Sequence, residues 1–254
     1  MTVNPALEAR KRRPKSVPWE AELIEVIDES PDVKTFRFEK TKDWTFTAGQ
    51  YLMVKFPEIF GKKNRAYSIA SSPNSEYIDL TIKLYGLFTH HMFTLKQGSS
   101  WSVRGPYGHF MLDTESTDDI VLLGAGVGVT PLMSMARYLS ELKSDRRMLL
   151  IYSNKKPKDI IYHNELQLLE RMNPNLKIVY TLTRLQEKLK HSWPGLTGRI
   201  SSDMIKEEIQ IWQEETGKEL VSYSCGPVPM LNTVEKCLME LGWPKEKIHY
   251  EKFW

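Results

Sequence analysis

The first half of the chain has the polar–apolar alternation of β-strands. Apolar residues occupy every second position from Ile78 to Leu84, so this strand is predicted to bury one face and leave the other in solvent. Similar short runs predict strands at 20–27, 33–38, 51–56 and 102–104, with glycines and prolines between them. Several short strands separated by such turns are typical of a closed antiparallel barrel.

The second half changes to short apolar runs that alternate with helical patterns. Strands are predicted at 120–123, 148–152, 176–182 and 220–224, and helices at 132–142, 160–172, 203–212 and 228–241. This alternation predicts a mostly parallel sheet covered by helices. The sequence therefore predicts a basic disordered tail at 1–16, an all-β antiparallel barrel domain at 17–114 and an α/β parallel-sheet domain at 115–254.

The charge is unevenly distributed. The chain has a net charge of +3, but residues 1–15 carry five basic side chains and one acidic one, so the remainder is close to neutral. A nucleic-acid-binding protein would carry its basic charge on the folded surface, and this function is not predicted. The tail is expected to be solvated, with docking onto an acidic partner or a membrane surface as the alternative.

The composition argues against a secreted or membrane protein and against a bound metal. No secretory signal or membrane-spanning segment is predicted, so a cytoplasmic protein is expected. The two cysteines, Cys225 and Cys237, are too few for an iron–sulfur cluster, and the histidines show no spacing typical of metal ligands. No metal site is predicted.

The segment Arg65-Ala66-Tyr67-Ser68 combines a cation, an aromatic ring and a hydroxyl on one extended strand. A guanidinium can form two hydrogen bonds to a phosphate, a tyrosine can stack on a planar ring, and a serine can hydrogen-bond a ring nitrogen. The alternative is an ordinary strand with an exposed Arg65 and a core Tyr67. Downstream, Gly86 permits close backbone approach and Thr89 can help to cap a diphosphate.

A second candidate segment is the turn from Gly124 to Pro131, which reads Gly-x-Gly-x-Gly-x-Thr-Pro. It differs from the usual dinucleotide fingerprint because Val129 stands where that pattern has its third glycine. Glycines still let the backbone approach a diphosphate, and Thr130 is predicted as the N-cap of the next helix with Pro131 at its first position. The alternative is a plain strand–helix turn. Together the two segments suggest two cofactors held face to face for electron transfer.

These motifs, in this order, resemble the ferredoxin–NADP reductase superfamily of flavoproteins. The resemblance runs from about residue 18 to the C-terminus. It is carried by Gly49-Gln50-Tyr51, Arg65-Ala66-Tyr67-Ser68, Gly105-Pro106-Tyr107-Gly108, the turn at 124–131 and Cys225-Gly226-Pro227.

The resemblance implies a flavin in the first domain, with FAD favoured over FMN. Arg65 would contact its diphosphate, Tyr67 would pack on the isoalloxazine and Ser68 would bond the reactive ring nitrogen. The remaining flavin contacts implied are Ala66, Ile82, Lys83, Tyr85, Gly86, Leu87, Phe88 and Thr89.

The resemblance also implies NADH or NADPH in the second domain, with Cys225 beside the nicotinamide. The implied nucleotide contacts are Gly126, Val127, Gly128, Thr130, Pro131, Asn154, Thr183, Arg184, Cys225, Gly226 and Pro227. Lys155, Lys156 and Arg184 could recognise the extra phosphate of NADPH or be merely solvated, whereas Asp159 could support NADH. The segment 156–160 resembles the NADH-using branch, which inclines the prediction to NADH.

The last residues complete the implied site. In the resembling family an aromatic residue near the C-terminus covers the flavin, and either Phe253 or Trp254 could do so here. The alternative is a terminal strand with its aromatic residues in the core. Ser68, Cys225, Glu251 and Phe253 are the predicted catalytic residues, with Cys225 and Glu251 orienting rings or relaying protons.

The function implied is a flavoprotein reductase that takes hydride from NAD(P)H onto FAD and passes electrons singly to a protein acceptor. That acceptor would be a ferredoxin, a haem protein or an oxygenase component. Two alternatives remain at this point: a reductase of free flavin or small oxidants, and a non-catalytic flavin-binding subunit that senses redox state.

Overall fold

The computed structural model describes residues 18–253, which form two six-stranded sheets. The first sheet is antiparallel, with the strand order β4-β3-β6-β1-β2-β5. Its strands are β1 (Trp19–Ser30), β2 (Val33–Glu39), β3 (Tyr51–Lys55), β4 (Asn64–Ser68), β5 (Tyr77–Lys83) and β6 (Ser100–Tyr107). An antiparallel bridge between Ile69 and Leu80 joins the two edge strands, so the sheet closes into the predicted barrel.

The barrel interior is filled by large apolar side chains, among them Phe36, Leu52 and Trp101. Two helices interrupt the strands, α1 (Pro57–Phe60) and α2 (Gly86–Thr94). The prediction that β5 has one solvated face is wrong, because Asp79 and Thr81 are buried as completely as the apolar residues beside them. The second domain covers that face.

The second sheet is parallel, with the order β10-β9-β8-β7-β11-β12. Its strands are β7 (Asp119–Ala125), β8 (Met148–Asn154), β9 (Leu176–Leu182), β10 (Leu196–Thr197), β11 (Leu220–Gly226) and β12 (Ile248–Lys252). The helices are α3 (Val129–Glu141), α4 (His163–Met172), α5 (Ser202–Thr216) and α6 (Val228–Glu240). Every residue of β8 and β11 is buried, as expected for strands covered on both faces.

The helices differ from the sequence prediction at two places. The predicted helix at 160–172 begins only at His163, because Tyr162 takes a left-handed conformation with φ of 59° and is buried. No helix is predicted from the sequence at 86–94, where the structure has α2. Within residues 18–253, none of the helices has the length and apolar character needed to cross a membrane. The predicted basic tail at 1–16 lies outside the described residues.

Candidate active site

Strand β4 carries the first group of predicted site residues. Ser68 is buried opposite Tyr51 of β3, and Tyr67 is half-buried against the barrel core. Burial raises the pKa of the Tyr67 phenol, so it stays neutral. Arg65 and Ala66 are exposed, and the Arg65 guanidinium lies 5.6 Å from the centroid of the Phe88 ring. Arg65 is therefore next to the first turn of α2.

The first turn of α2 presents two large side chains to solvent, Tyr85 at 85% and Leu87 at 82% exposure. Phe88 instead packs on Phe56 and Phe60, with ring centroids 5.3 and 5.0 Å away. The Thr89 hydroxyl accepts from the Tyr85 amide at 2.6 Å and donates to the Gly86 carbonyl at 3.1 Å. It is thus engaged within its own turn.

These residues fit a flavin dinucleotide. The first amides of a helix and a neighbouring guanidinium are the donors that a diphosphate requires. Uncovered Tyr85 and Leu87 offer apolar surface for a ring system beside them. Ile82 is different, because its side chain fills the barrel core.

The glycine turn joins β7 to α3 through a 3₁₀ turn at Gly126–Gly128. A Cβ on Gly128 would lie 2.3 Å from the Cys225 carbonyl oxygen, so only glycine lets this turn pack against the end of β11. The prediction that Thr130 caps the helix is wrong. The helix begins at Val129, and the Thr130 hydroxyl donates to the Val127 carbonyl at 3.0 Å.

A cleft of about 680 Å³ opens where the two domains meet. Its wall includes nine of the predicted site residues: Lys83, Gly126, Val127, Gly128, Asn154, Thr183, Gly226, Pro227 and Phe253. Thr130 and Pro131 are buried within α3, and Arg184 is exposed beyond β9. Among the described residues, the buried Asn154 side-chain nitrogen has no hydrogen-bond partner, which leaves a donor for a ligand in the cleft. A nucleotide fits this arrangement.

Charged side chains surround the cleft. Lys83 forms an ion pair with Asp32, and Lys155, Asp159 and Arg199 also line the wall. Burial alone would raise the pKa of Asp32, but the hydrogen bond and charge of Lys83 outweigh it and lower that pKa. The family resemblance implies that Lys83 contacts the flavin, whereas in the structure Lys83 lines the cleft. Sequence reasoning missed Arg199, which follows a strand of only two residues and has no recognisable pattern around it.

The C-terminal strand brings the predicted catalytic residues together. Ser68 Oγ donates to Glu251 Oε2 at 3.3 Å, and Glu251 lies in register with Cys225 on the neighbouring strand. Burial raises the pKa of Glu251 to about 7. Burial, and then the nearby Glu251, raise the pKa of the Cys225 thiol well above its usual value. A buried neutral thiol suits an orienting role and not a nucleophile.

Phe253, two residues after Glu251, is the last described residue and the fourth predicted catalytic residue. Its backbone amide donates to the Gly226 carbonyl at 3.3 Å, and its side chain lines the cleft. Phe253 also packs against the core of the α/β domain. Trp254, the other candidate for the flavin cover, lies outside the described residues.

Comparison with known proteins decides the family. Residues 20–112 match the oxidoreductase FAD-binding domain and residues 122–236 match the oxidoreductase NAD-binding domain. Ferredoxin–NADP reductase B of Sorangium cellulosum is 30% identical over 251 residues, which cover 93% of this chain and 98% of that protein. The chain belongs to the ferredoxin–NADP reductase superfamily. The predicted fold, the FAD and NAD(P) cofactors and the oxidoreductase class are thereby confirmed.

The chain spans about two thirds of the length of some of the relatives that it matches. The glycine betaine monooxygenase reductase subunit of Pseudomonas aeruginosa is 32% identical over 237 residues, covering 91% of this chain but 63% of its own length. Among solved structures, the CS-b5R domains of human Ncb5or in the NAD+ form superpose with a TM-score of 0.80 at 26% identity, over 95% of this chain and 71% of that one. Ferredoxin NADP+ reductase from Neisseria gonorrhoeae, with bound FAD and NADP, has the same fold at a TM-score of 0.79 and 21% identity, over 92% and 98% of the two chains.

Proposed function

We propose that this protein is a reductase that carries electrons from NADH or NADPH, through FAD, to a protein acceptor. FAD supplies the chemistry, because it takes two electrons as hydride and can release them one at a time. The protein itself binds both cofactors, aligns them and provides a group that can hold or release a proton beside them.

The observation that carries this proposal is the hydrogen bond from Ser68 to Glu251 at 3.3 Å. Ser68 ends the strand proposed to hold the flavin, and Glu251 lies on the strand that pairs with Cys225 above the nucleotide turn. The flavin strand and the nucleotide domain therefore meet at their functional ends. A non-catalytic flavin-binding subunit would have no need for this junction.

Each residue then has a defined task. Arg65 and the first amides of α2 hold the flavin diphosphate, Tyr67 packs on the ring system, and Ser68 hydrogen-bonds it. Gly126 to Gly128 and Asn154 hold the nucleotide in the cleft. Burial raises the pKa of the Glu251 carboxyl to about 7, so this group can hold or release a proton near neutral pH while it accepts the hydrogen bond from Ser68.

NADH is proposed as the preferred donor because Asp159 lines the cleft. A carboxylate accepts hydrogen bonds from ribose hydroxyls and repels an added phosphate. Lys155 and Arg199 lie on the same wall and would favour NADPH instead, so the two nucleotides must be compared directly.

A protein acceptor is proposed because the relatives include reductase components of oxygenases. Besides the glycine betaine monooxygenase reductase subunit, the phenol hydroxylase P5 protein of Acinetobacter pittii is 29% identical over 240 residues, covering 92% of this chain and 65% of its own length. An oxygenase component, a ferredoxin or a haem protein is therefore the proposed class of acceptor.

The test is anaerobic reduction followed by reoxidation. The purified protein, reconstituted with FAD, is mixed with NADH or NADPH, and the visible flavin absorbance is followed. Cytochrome c, a one-electron protein acceptor, and free FMN are then supplied separately. Fast reduction by a nucleotide and faster reoxidation by cytochrome c support the proposal. Reduction without transfer to cytochrome c, but with rapid reduction of free FMN, would favour a flavin reductase.

A further inference from the structure

Helix α3 links the two cofactor sites within one rigid element. Its N-terminus follows directly from the nucleotide turn at Gly126–Gly128, and the rest of the helix contacts the barrel domain through hydrogen bonds. The barrel segment that it contacts, 70–72, begins two residues after Ser68. A shift of α3 along this segment would move the nucleotide turn relative to the proposed flavin strand.

Three consecutive barrel residues are bound by one face of α3. Ser134 Oγ donates to the Ser71 carbonyl at 2.7 Å, and an Arg137 guanidinium nitrogen donates to the Ala70 carbonyl at 2.7 Å. The Ser72 hydroxyl donates to the Glu141 carboxylate. Residues 134, 137 and 141 are spaced by three and four, so they lie on one side of the helix. Ser134, Arg137 and Glu141 are called here the interdomain face of α3.

The surroundings hold this face in place. Arg137 forms a bidentate pair with Glu165 of α4, both bonds being 2.7 Å, and lies 3.6 Å from buried Asp79 of the barrel. Ser71 and Ser134 are fully buried, so water cannot easily replace their hydrogen bond. Two directional bonds to backbone carbonyls also fix the position of the helix along the segment 70–72 more tightly than apolar contact would.

We propose that the interdomain face of α3 is a positioning element for hydride transfer. It sets the separation of the nucleotide turn and the flavin strand without touching either cofactor. The inference rests on the proposed function, because it concerns the alignment of the nicotinamide and the flavin. Small errors in such alignment reduce rates steeply. The residues proposed to hold the nucleotide, Gly126 to Gly128 and Asn154, are not on the interdomain face of α3, so nucleotide affinity should change less than the rate.

The test uses two pairs of matched substitutions in the FAD-loaded protein. Ser134→Ala removes the bond to Ser71, and its control Ser140→Ala removes a hydroxyl on the same helix that accepts from Asn173 within the α/β domain at 2.7 Å. Arg137→Lys breaks the bidentate pair and the bond to Ala70. The control for Arg137→Lys is Arg37→Lys. Arg37 also contacts Asp79, with its Nε donating to the Asp79 carboxylate at 2.8 Å, but this contact lies within the barrel.

Four quantities are measured for each variant. They are the FAD content, the dissociation constant for NAD+, the anaerobic rate of flavin reduction at saturating NADH, and the long-wavelength charge-transfer absorbance given by stacked flavin and nicotinamide. Hydrogen exchange of the backbone amides in 69–72 gives a reading that does not depend on activity.

We expect Arg137→Lys to slow flavin reduction about tenfold or more and Ser134→Ala several-fold, with weaker charge-transfer absorbance and faster exchange at 69–72. FAD content and the NAD+ dissociation constant should stay within about twofold of wild type, as should the reduction rates of both controls. If Arg137→Lys does not fold, the serine pair decides the outcome.

Equal reduction rates in Ser134→Ala and Ser140→Ala would overturn the inference. The inference would also be overturned if Ser134→Ala or Arg137→Lys weakened NAD+ binding but left the rate of flavin reduction at saturating NADH unchanged. If wild-type protein is not reduced by either nucleotide, the proposed function itself fails; unchanged exchange at 69–72 in Ser134→Ala would refute the contact separately.

Discussion

Gly128 and Cys225 approach so closely that a Cβ on Gly128 would lie 2.3 Å from the Cys225 carbonyl oxygen. The contact joins the nucleotide turn to the end of β11, where the Cys225-Gly226-Pro227 segment begins. Gly128 has φ of −62°, so its backbone conformation suits any residue and the requirement for glycine is purely steric. Two motifs nearly one hundred residues apart in the sequence thus pack directly against each other.

Gly128→Ala is expected to push the turn away from β11 and to abolish nucleotide binding while FAD is retained. The loss of stability should be about 1–3 kcal/mol, as for other overpacked sites. Gly217→Ala at the C-terminal end of α5 is the matched control, because Gly217 does not line the cleft and its Cβ would meet no described atom within 4 Å, so the cost is limited to its φ of 64°. Isothermal titration with NAD+ and thermal unfolding measure both effects. Equal nucleotide affinity in the two variants would show that the contact is unimportant.

Glu251 should give the reaction a pH dependence near neutrality. Burial raises the pKa of its carboxyl to about 7, so it is protonated at pH 6 and ionised at pH 8. We expect the rate of flavin reduction by NADH to change around pH 7 in wild type and to be flat across this range in Glu251→Gln. The profile of Ser68→Ala, which retains Glu251, should keep an inflection. An unchanged profile in Glu251→Gln would assign the titration to another group.

The same pKa predicts how stability depends on pH. Below the ordinary value of 4.5, the carboxyl is protonated in both folded and unfolded chains and contributes nothing. Between that value and about 7, the unfolded chain releases the proton more readily, so the folded state loses stability as pH rises. The free energy of unfolding in urea should therefore be higher for Glu251→Gln than for wild type at pH 8, and the same for both at pH 4. A gain of the same size at both pH values would contradict this assignment.

Arg65→Ala tests the flavin strand. Loss of a charge-assisted contact to the diphosphate should weaken FAD binding by about 1.5–3 kcal/mol, or roughly 10- to 100-fold. NAD+ affinity should not change, because Arg65 belongs to the barrel and lies outside the cleft wall. Lys63→Ala, an exposed cation two residues away, is the control. FAD affinity can be measured by fluorescence quenching on reconstitution. Equal FAD affinity in the two variants would remove Arg65 from the site.

Asp159→Ala tests the preference for NADH. Loss of a carboxylate that accepts from the ribose should raise KM for NADH about tenfold, while KM for NADPH should fall as a repulsive charge is removed. Asp203→Ala at the start of α5 changes an acidic residue elsewhere in the same domain and serves as the control. Steady-state kinetics with both nucleotides provide the measurement. A higher KM for both nucleotides alike would indicate a structural role instead.

Local pattern predicted most of the fold. The predicted strand at 176–182 coincides with β9, and the change from alternating to continuous apolar runs marks the change from barrel to parallel sheet. Helix α2 was missed because its glycine and paired histidines resemble a loop, although Phe88 and Met92 are buried four residues apart. The start of α4 was misplaced because the left-handed turn at Tyr162 depends on contacts with the barrel.

The site was predicted in its parts but not in its assembly. Ser68 and Glu251 were each identified, yet their contact depends on how two domains dock, and 183 residues separate them. The same docking turns Lys83 towards the cleft and buries Asp79 between arginines of both domains. No local spacing encodes these contacts. The motifs predict which cofactors bind, and the packing of α3 on the barrel determines where they meet.

The most direct test is anaerobic mixing of the FAD-loaded protein with NADH while the visible flavin absorbance is recorded. If the barrel and the α/β domain hold the two cofactors in contact, the yellow colour bleaches in a single fast phase, and transient long-wavelength absorbance marks the stacked pair. A protein that binds FAD and NADH but keeps its colour would contradict the account.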